Sequence, residues 1–436
     1  MITTFTISPD KGRVLAAAMV SSRKRVFREE TDTVPHRAGA YEYMPWGADD
    51  QMPFDILDLI ETDEVMTACQ NHNIRTLYAG GLRYECEGDE PLREMQRFIR
   101  HNDLNRYYMG VCTDMRYWGW CVSVITLSND GSRIVSLSRR EAMYCRLAPA
   151  DSKGQIPYIL YANFRKTGLQ SSQVEKIPVL KMDDPYGDLR YRMGQSAQAR
   201  AEMKSPTPVR KFAIVSRITT PDTTYYPIPP YGALFKGRWY DIKNLISTAK
   251  YAKLKHSAPL KYLVEIEDGY WDKRFQQKGA VTEAEMQAEV NRVKQEMIDF
   301  LTGAENSGKA LFSGYYIDPQ TGHEVHEIKV TNLESKSEGG DWQTDIQEAI
   351  NMICFTMGVH SNLVGSVPGN AQSNNSGSDK RELYTIAQCM EQPVREILML
   401  PHRLVIDYNG WRDTYPRTSI VQLTTLDRHR DVFNEE

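Results

Sequence analysis

Two amphipathic segments near the C-terminal end of the chain flank a long polar run. In the first, apolar residues recur every three or four positions, as one face of a helix requires: Trp342, Ile346, Ala349, Ile350, Ile353 and Met357. The same spacing holds in the second for Leu383, Ile386, Ala387, Met390, Val394, Ile397 and Leu398. Between them, residues 365–380 are rich in Gly, Asn and Ser. The pattern predicts two helices joined by a loop, which is either functional or a plain disordered linker.

The N-terminal half alternates between the helical period and the strand period. Helices are predicted near residues 53–60, 65–77, 91–100 and 104–118. Strands are predicted near residues 120–126, 134–137, 144–147, 158–163 and 174–180. Asn129-Asp130-Gly131 fits the turn of a hairpin between the first two strands. Residues 182–231 are rich in turn formers and are predicted to be irregular, so this half has an α+β pattern.

A single long helix is predicted over residues 233–256, after the proline cluster that ends at Tyr231. Lys236, Lys243 and Lys250 recur at seven-residue steps, which places them on one face. That face is either simply solvated or directed at DNA in an oligomer.

A small α/β insert is predicted over residues 258–338. It comprises a strand at 260–266, a helix that begins at the capping box of Thr282 and Glu285, and a hairpin of strands 310–316 and 323–330.

Composition narrows the class of protein. In 436 residues, a hydrophobic content of 41% and a charged content of 25% are ordinary for a folded chain. No apolar run approaches the roughly 20 residues that a bilayer span needs, and no secretory leader is apparent, so we expect no membrane association and a cytosolic origin. The seven cysteines form no CxxC pair and indicate free thiols. A net charge of −4 argues against tight nucleic-acid binding but permits a channel through which DNA slides.

Enzymatic motifs are weak throughout. Residues 303–309 fit G-x-x-x-x-G-K, but Ala310 replaces the Ser or Thr that would hold magnesium. The predicted order, helix then strand, is also the reverse of a phosphate-binding loop. His323 and His326 lack the spacing of the HExxH zinc motif. The sequence therefore predicts no catalytic site, no metal site and no cofactor.

Four segments together resemble the portal proteins of tailed bacteriophages. They are the W-G-A-D-D-Q-M-P motif at 46–53, the strand and hairpin at 119–139, the proline-rich turn and long helix at 226–256, and the helix–loop–helix around 365–378. Asn409-Gly410-Trp411 closes the last of these. In order and spacing, the resemblance covers most of residues 40–411.

The resemblance implies a portal-like α+β subunit with eight segments. They are an N-terminal arm (1–39), a wing (40–232), a stem helix (233–257), a clip (258–338), a second stem helix (339–360), a tunnel loop (361–378), a kinked helix directed towards the crown (379–411) and a short tail (412–436). Pro393 and Pro401 are expected to kink or end the last helix.

The resemblance also implies a role. The chain would form a homo-oligomeric ring, a dodecamer, at one capsid vertex of the virion and conduct double-stranded DNA in packaging and ejection. Its partners would be the terminase large subunit, a head-completion or adaptor protein, and the major capsid and scaffold proteins. The residues expected to face DNA are Lys243, Lys250, Asn370, Gln372, Ser373, Asn374, Asn375 and Ser376. The alternatives are another structural head–tail connector component or a DNA-processing enzyme such as a nuclease.

Overall fold

The computed structural model describes residues 34–87, 93–202, 205–221, 225–256, 262–267, 269–271, 275, 282–302, 315–317, 324–326, 328–332, 341–360, 363, 377–411 and 413–421. The chain divides into two compact units. The first comprises Met1–Asp241 and Gln347–Glu436, and the second comprises Ile242–Ile346.

Helices and strands are mixed along both units, in agreement with the predicted α+β class. The helices are α1 (Met52–Glu61), α2 (Glu64–Tyr78), α3 (Arg93–His101), α4 (Leu104–Trp118), α5 (Pro185–Arg192), α6 (Ala197–Ala201), α7 (Ala233–Lys236), α8 (Trp239–His256), α9 (Glu283–Thr302), α10 (Asp341–Thr356), α11 (Gly377–Met390) and α12 (Gln392–Asn409). The strands are β1 (His36–Ala38), β2 (Tyr41–Tyr43), β3 (Leu82–Cys86), β4 (Trp120–Leu127), β5 (Ile134–Arg140), β6 (Cys145–Leu147), β7 (Tyr158–Tyr161), β8 (Glu175–Pro178), β9 (Lys211–Arg217), β10 (Tyr262–Ile266), β11 (Tyr315–Ile317), β12 (Glu324–His326), β13 (Ile328–Asn332) and β14 (Thr414–Thr418).

The sheets of the first unit are small and antiparallel. β4 lies between β5 and β9, and β7 lies between β6 and β8. β3 pairs with β14, so a strand near residue 84 and a strand near residue 416 hold the two ends of the unit together. β4 is almost entirely buried because its neighbours pair along both edges and its sequence, WCVSVITL, is apolar on both faces.

Residues 182–231 are more regular than the sequence predicts, and that prediction was wrong. They contain α5, α6 and β9, and β9 pairs with β4 over its whole length. The apolar run Phe212 to Val215 is buried in this pairing. A run of that length carries no period of its own, and the turn formers on either side obscured it.

The main core of the first unit gathers α4, β4, β9 and α12 around shared apolar side chains. Its members include Tyr108, Val111, Ile125, Phe212, Ile214, Leu404, Val405 and Trp411. His402 lies within this region, fully buried, with Nδ1 2.8 Å from the Tyr84 hydroxyl. Burial lowers the pKa of His402 to about 3, so the ring is neutral at physiological pH.

The second unit is built on two antiparallel strand pairs and α9. β10 pairs with β13, and β11 pairs with β12. The predicted hairpin is therefore shorter than expected, and residues 328–332 pair with 262–266 instead. Residues 310–314 and 323 lie outside the described residues. The capping box is present, because the Glu285 carboxylate accepts hydrogen bonds from the Thr282 backbone N–H at 2.9 Å and from its hydroxyl at 2.7 Å.

Two predicted long helices are each divided. The helix expected over 233–256 is broken at Gly237, where an extended backbone separates α7 from α8. The kinked helix expected over 379–411 is two helices, α11 and α12, which are divided beside Pro393, as expected. Pro393 lies in the first turn of α12, where proline is tolerated. Pro401 lies inside α12. Gly377 and Ser378, assigned to the loop by the sequence, belong to α11.

Candidate functional site

The W-G-A-D-D motif forms a buried aromatic cluster in the first unit. Trp46 stacks on Tyr226 with ring centroids 4.8 Å apart, and its edge contacts are with Trp118 and Trp120. The Tyr226 hydroxyl donates to the Met44 carbonyl at 2.8 Å and accepts from the backbone N–H of residue 147 at 2.9 Å. The motif therefore joins the chain near residue 46 to the proline-rich turn near residue 226.

A buried ion pair completes this cluster. The Arg146 guanidinium donates to the Asp50 carboxylate through Nε and to the Asp50 carbonyl at 3.0 Å. It also donates to the carbonyls of Met143 and Cys145, each at 2.9 Å. The same Asp50 carboxylate accepts a hydrogen bond from the Trp46 backbone N–H at 2.8 Å. Each polar group of the pair thus has hydrogen-bond partners, which offset the cost of burying two charges. This motif acts structurally.

The candidate functional site is formed by α2 and the two helices that border residues 361–376. Asp63 begins α2, because its carboxylate accepts from the N–H groups of residues 65 and 66, each at 3.0 Å. On one side, the Asn73 side chain donates to the Met357 carbonyl just after α10, at 2.8 Å. The sulfurs of Cys69 and Cys354 are 3.8 Å apart. These contacts hold the end of α10 against α2.

On the other side, Arg395 of α12 joins α2 to α11. Its guanidinium donates to the carbonyls of Thr76 at 2.6 Å and Leu77 at 3.1 Å, which are among the carbonyls that the end of α2 leaves without helical partners. It also donates to the Gln388 carbonyl at 3.0 Å and to its side-chain oxygen at 2.5 Å. Arg395 is buried, and burial lowers its pKa.

A second charged contact fixes the junction between α11 and α12. Glu391 lies at that junction and forms a short ion pair with Arg116 of α4. Both side chains are mostly buried. The end of α10, which precedes residue 361, and the C-terminal end of α11 are therefore both attached to the first unit, through α2 and α4. The arrangement holds these two helices by separate contacts.

The predicted DNA-facing residues fall into three groups. Asn370, Gln372, Ser373, Asn374, Asn375 and Ser376 lie outside the described residues. Lys250 is exposed on α8. Lys243 is only 5% exposed in the single chain, so the two lysines do not share one solvent-facing surface there. Their positions relative to a channel stay a prediction.

Large apolar side chains are exposed on α8, α10 and α11. Phe355 on α10 is 78% exposed, and on α11 Ile386 and Met390 are 56% and 72% exposed. Leu245 and Tyr251 on α8 are exposed as well. Ile386 and Met390 are four residues apart and lie on one face of α11. Two exposed apolar side chains on one helix face form a candidate protein–protein contact.

The part of the chain that the structure describes shows neither a metal site nor a membrane-spanning helix. There, no group of three or more His, Cys, Asp or Glu side chains is placed to hold a metal ion. Over the same residues, no helix combines the length and apolarity that a membrane crossing requires.

Comparison with known proteins gives matches in structure alone. No family model and no curated protein matches the chain. A chain in the neck of a native gene transfer agent particle, computed with C12 symmetry, aligns with a TM-score of 0.56 at 13% identity over 91% of both chains. A chain in the virion of the native particle gives 0.54 at 14% identity over 87% of both. An HK97-family phage portal protein from Corynebacterium diphtheriae aligns with a TM-score of only 0.30 at 9% identity, over 72% of this chain and 79% of that one.

At such identities the comparisons establish the fold. The alignments with the two particle chains extend over nearly the whole length of both partners, so the similarity concerns the overall arrangement rather than one shared element. This chain has the fold of a chain in the neck of the gene transfer agent particle, in agreement with the resemblance drawn from motifs in the sequence.

Proposed function

We propose that the chain is a portal protein: a ring-forming head–tail connector at one vertex of a capsid, through which DNA is packaged and ejected. The observation that supports this most strongly is the fold shared with a particle neck chain solved with C12 symmetry. The exposed apolar residues of α8, α10 and α11 support it independently, because ring closure would remove them from water.

Electron microscopy of the full-length protein tests this proposal. We expect rotationally averaged images to show a ring, of twelve subunits, with an axial hole of duplex width. Because some rings need a nucleating partner, the measurement is repeated after coexpression with the capsid and scaffold proteins of the same particle. A compact monomer in both preparations would contradict the proposal.

The segments of the portal resemblance are assigned accordingly. The wing is residues 40–232, the stem helices are 233–257 and 339–360, the clip is 258–338, and the helix towards the crown is 379–411. The boundaries of the second unit, Ile242 and Ile346, fall inside the proposed stem helices α8 and α10. The clip would present the docking surface for the terminase large subunit, and an adaptor protein would complete the neck. The motor activity would belong to the terminase.

Polar substitutions on the exposed apolar faces should impair assembly. We expect the double variant Phe355→Ser/Met390→Ser to remain folded but to shift from ring to monomer. Each large apolar side chain contributes about 1.5–3 kcal/mol when fully buried, so losing two per subunit should raise the concentration needed for assembly at least tenfold. Mass photometry measures this shift.

Val135→Ser is the matched control, because Val135 is also half exposed but lies on β5. Its assembly should equal that of the unchanged protein. If both variants assemble equally well, the faces of α10 and α11 are not subunit contacts.

Shortening residues 365–376 should impair DNA handling but leave the ring intact. From Gly365 to Asp379 the sequence contains no Lys or Arg, so this segment would touch passing DNA through small polar groups such as those of Asn374 and Asn375 without holding it by charge. The segment offers little apolar surface to a folded core. We therefore expect normal rings and a severalfold loss of packaged DNA, measured by nuclease protection.

Lys250→Gln provides a contrast in the same assay. A lysine that contacts phosphate adds salt dependence through counterion release, so this variant should make DNA retention less sensitive to salt, which the shortened segment should not do. Loss of the ring on shortening, with normal packaging in any ring that remains, would show that residues 365–376 are structural.

A further inference from the structure

Two thiols meet where α10 approaches α2. The sulfurs of Cys69 and Cys354 are 3.8 Å apart, and both side chains are buried. They are separated by 285 positions in the sequence. We propose that Cys69 and Cys354 are a redox pair that a hydroperoxide converts into an intramolecular disulfide, which locks the end of α10 to α2.

The geometry requires little rearrangement. A disulfide has a sulfur–sulfur distance of about 2.0 Å, so the two atoms must approach each other by roughly 1.8 Å. The two helices already hold this approach by a second contact, the hydrogen bond from Asn73 to the Met357 carbonyl at 2.8 Å. The pair is therefore positioned by the fold and does not depend on a chance encounter of mobile chains.

The two sulfurs are chemically unequal. The hydrogen bond between them lowers the pKa of Cys354, while that hydrogen bond and burial raise the pKa of Cys69. In the proposed reaction Cys354 is the attacking nucleophile. Cys69 supplies the second thiol, 3.8 Å away. A sulfenic acid beside a second thiol condenses with it to a disulfide.

The reaction balances with one hydroperoxide. The Cys354 thiolate attacks one peroxide oxygen, the O–O bond breaks, and a sulfenic acid forms while the departing hydroxide takes up a proton to become water. The Cys69 sulfur then attacks the Cys354 sulfur, the S–OH bond breaks, and the hydroxide leaves as a second water with the proton of the Cys69 thiol. The two thiols lose two electrons in total, and the peroxide gains them.

The consequence is local to the candidate functional site. Residues 354–357 lie directly before the segment that begins at residue 361, so the disulfide would fix one base of that segment covalently. It would also close a very long loop in the unfolded chain, and such a cross-link raises the melting temperature.

Peptide mapping of the full-length protein tests the proposal. The protein is treated with hydrogen peroxide and its remaining thiols are then blocked. We expect a cross-linked peptide that contains residues 69 and 354, with a mass two hydrogen atoms below the sum of the two separate peptides. The melting temperature should rise and return to its starting value with a reductant. Cys354→Ser should remove the peptide and the rise together.

Cys389→Ser is the matched control, because Cys389 is exposed and lies on neighbouring α11. It should form the same cross-link and show the same rise as the unchanged protein. Peroxide treatment that leaves Cys69 and Cys354 reduced, or that yields only sulfinic and sulfonic acids at Cys354, would overturn the proposal.

Discussion

Replacing Arg146 by methionine should destabilise the first unit by about 3–5 kcal/mol, the usual cost of removing one member of a buried ion pair. The guanidinium is fully buried, and the Asp50 carboxylate beside it is nearly so. Without Arg146 the buried carboxylate would have no counter-ion. It would keep only neutral donors, such as the Trp46 backbone N–H. Urea unfolding followed by tryptophan fluorescence measures the loss, because Trp46 lies in the same cluster.

Two further variants show whether the ion pair itself is responsible. Arg146→Met/Asp50→Asn should recover part of the loss, since an asparagine can accept the Trp46 N–H without a buried charge. Asparagine also tolerates a left-handed backbone, and φ at Asp50 is 60°. Arg37→Met removes an exposed pair with Glu42 and should cost at most about 1 kcal/mol. If Arg146→Met is as mild as Arg37→Met, the buried pair does not hold the motif in place.

The helices could largely be predicted from the sequence because their apolar residues repeat with a clear period. α1, α2, α4, α9 and α10 lie within a few residues of their predicted bounds, and the structure confirms the hairpin of β4 and β5. Each of these elements has a local signal that agrees with its environment, such as the Thr282 capping box or the Asn129-Asp130-Gly131 turn. Local preference and tertiary packing act in the same direction there.

The features that the sequence did not predict have no such local signal. β9 is too short to show a period, and only its pairing with β4 makes it a strand. The break at Gly237 depends on one backbone conformation that the amphipathic pattern does not encode. β13 pairs with β10 across most of the second unit, and a pairing between distant segments leaves no mark in either segment alone.

The candidate site shows a similar division. The sequence points to the W-G-A-D-D motif and to the helices beside residues 361–376. It does not reveal that Asp50 pairs with Arg146, or that α2 contacts both helices. One signal for Arg395 is present in the sequence. It lies three and seven positions before Leu398 and His402, on the buried face of an amphipathic helix. An arginine at such a position needs several acceptors, and these come from α2 and α11.

Arg395→Met should therefore cost about 2–5 kcal/mol, because it leaves the buried carbonyls of Thr76, Leu77 and Gln388 without a donor, at about 1–3 kcal/mol for each that water cannot reach. Relief of the buried charge of Arg395 offsets part of this cost. Arg395→Lys should lose less, since an ammonium can still reach some of these acceptors but cannot match a planar guanidinium. Chemical denaturation of the unchanged protein and of the two variants gives the order of their unfolding free energies.

The region in which Arg395→Met lowers local stability is more informative than the size of the change in unfolding free energy. Hydrogen exchange should rise at the end of α2 and along α11, where the four hydrogen bonds of Arg395 are made, and much less near residue 354, where Asn73 and Cys69 hold α10 independently. Arg403→Met, which removes only an exposed pair with Glu396, should change neither region. If exchange rose equally along α10 and α11, α2 would not hold the two helices by separate contacts. With the expected pattern, Arg395→Met loosens α11 while α10 stays held, so its effect on DNA packaging would show whether α11 must be rigid.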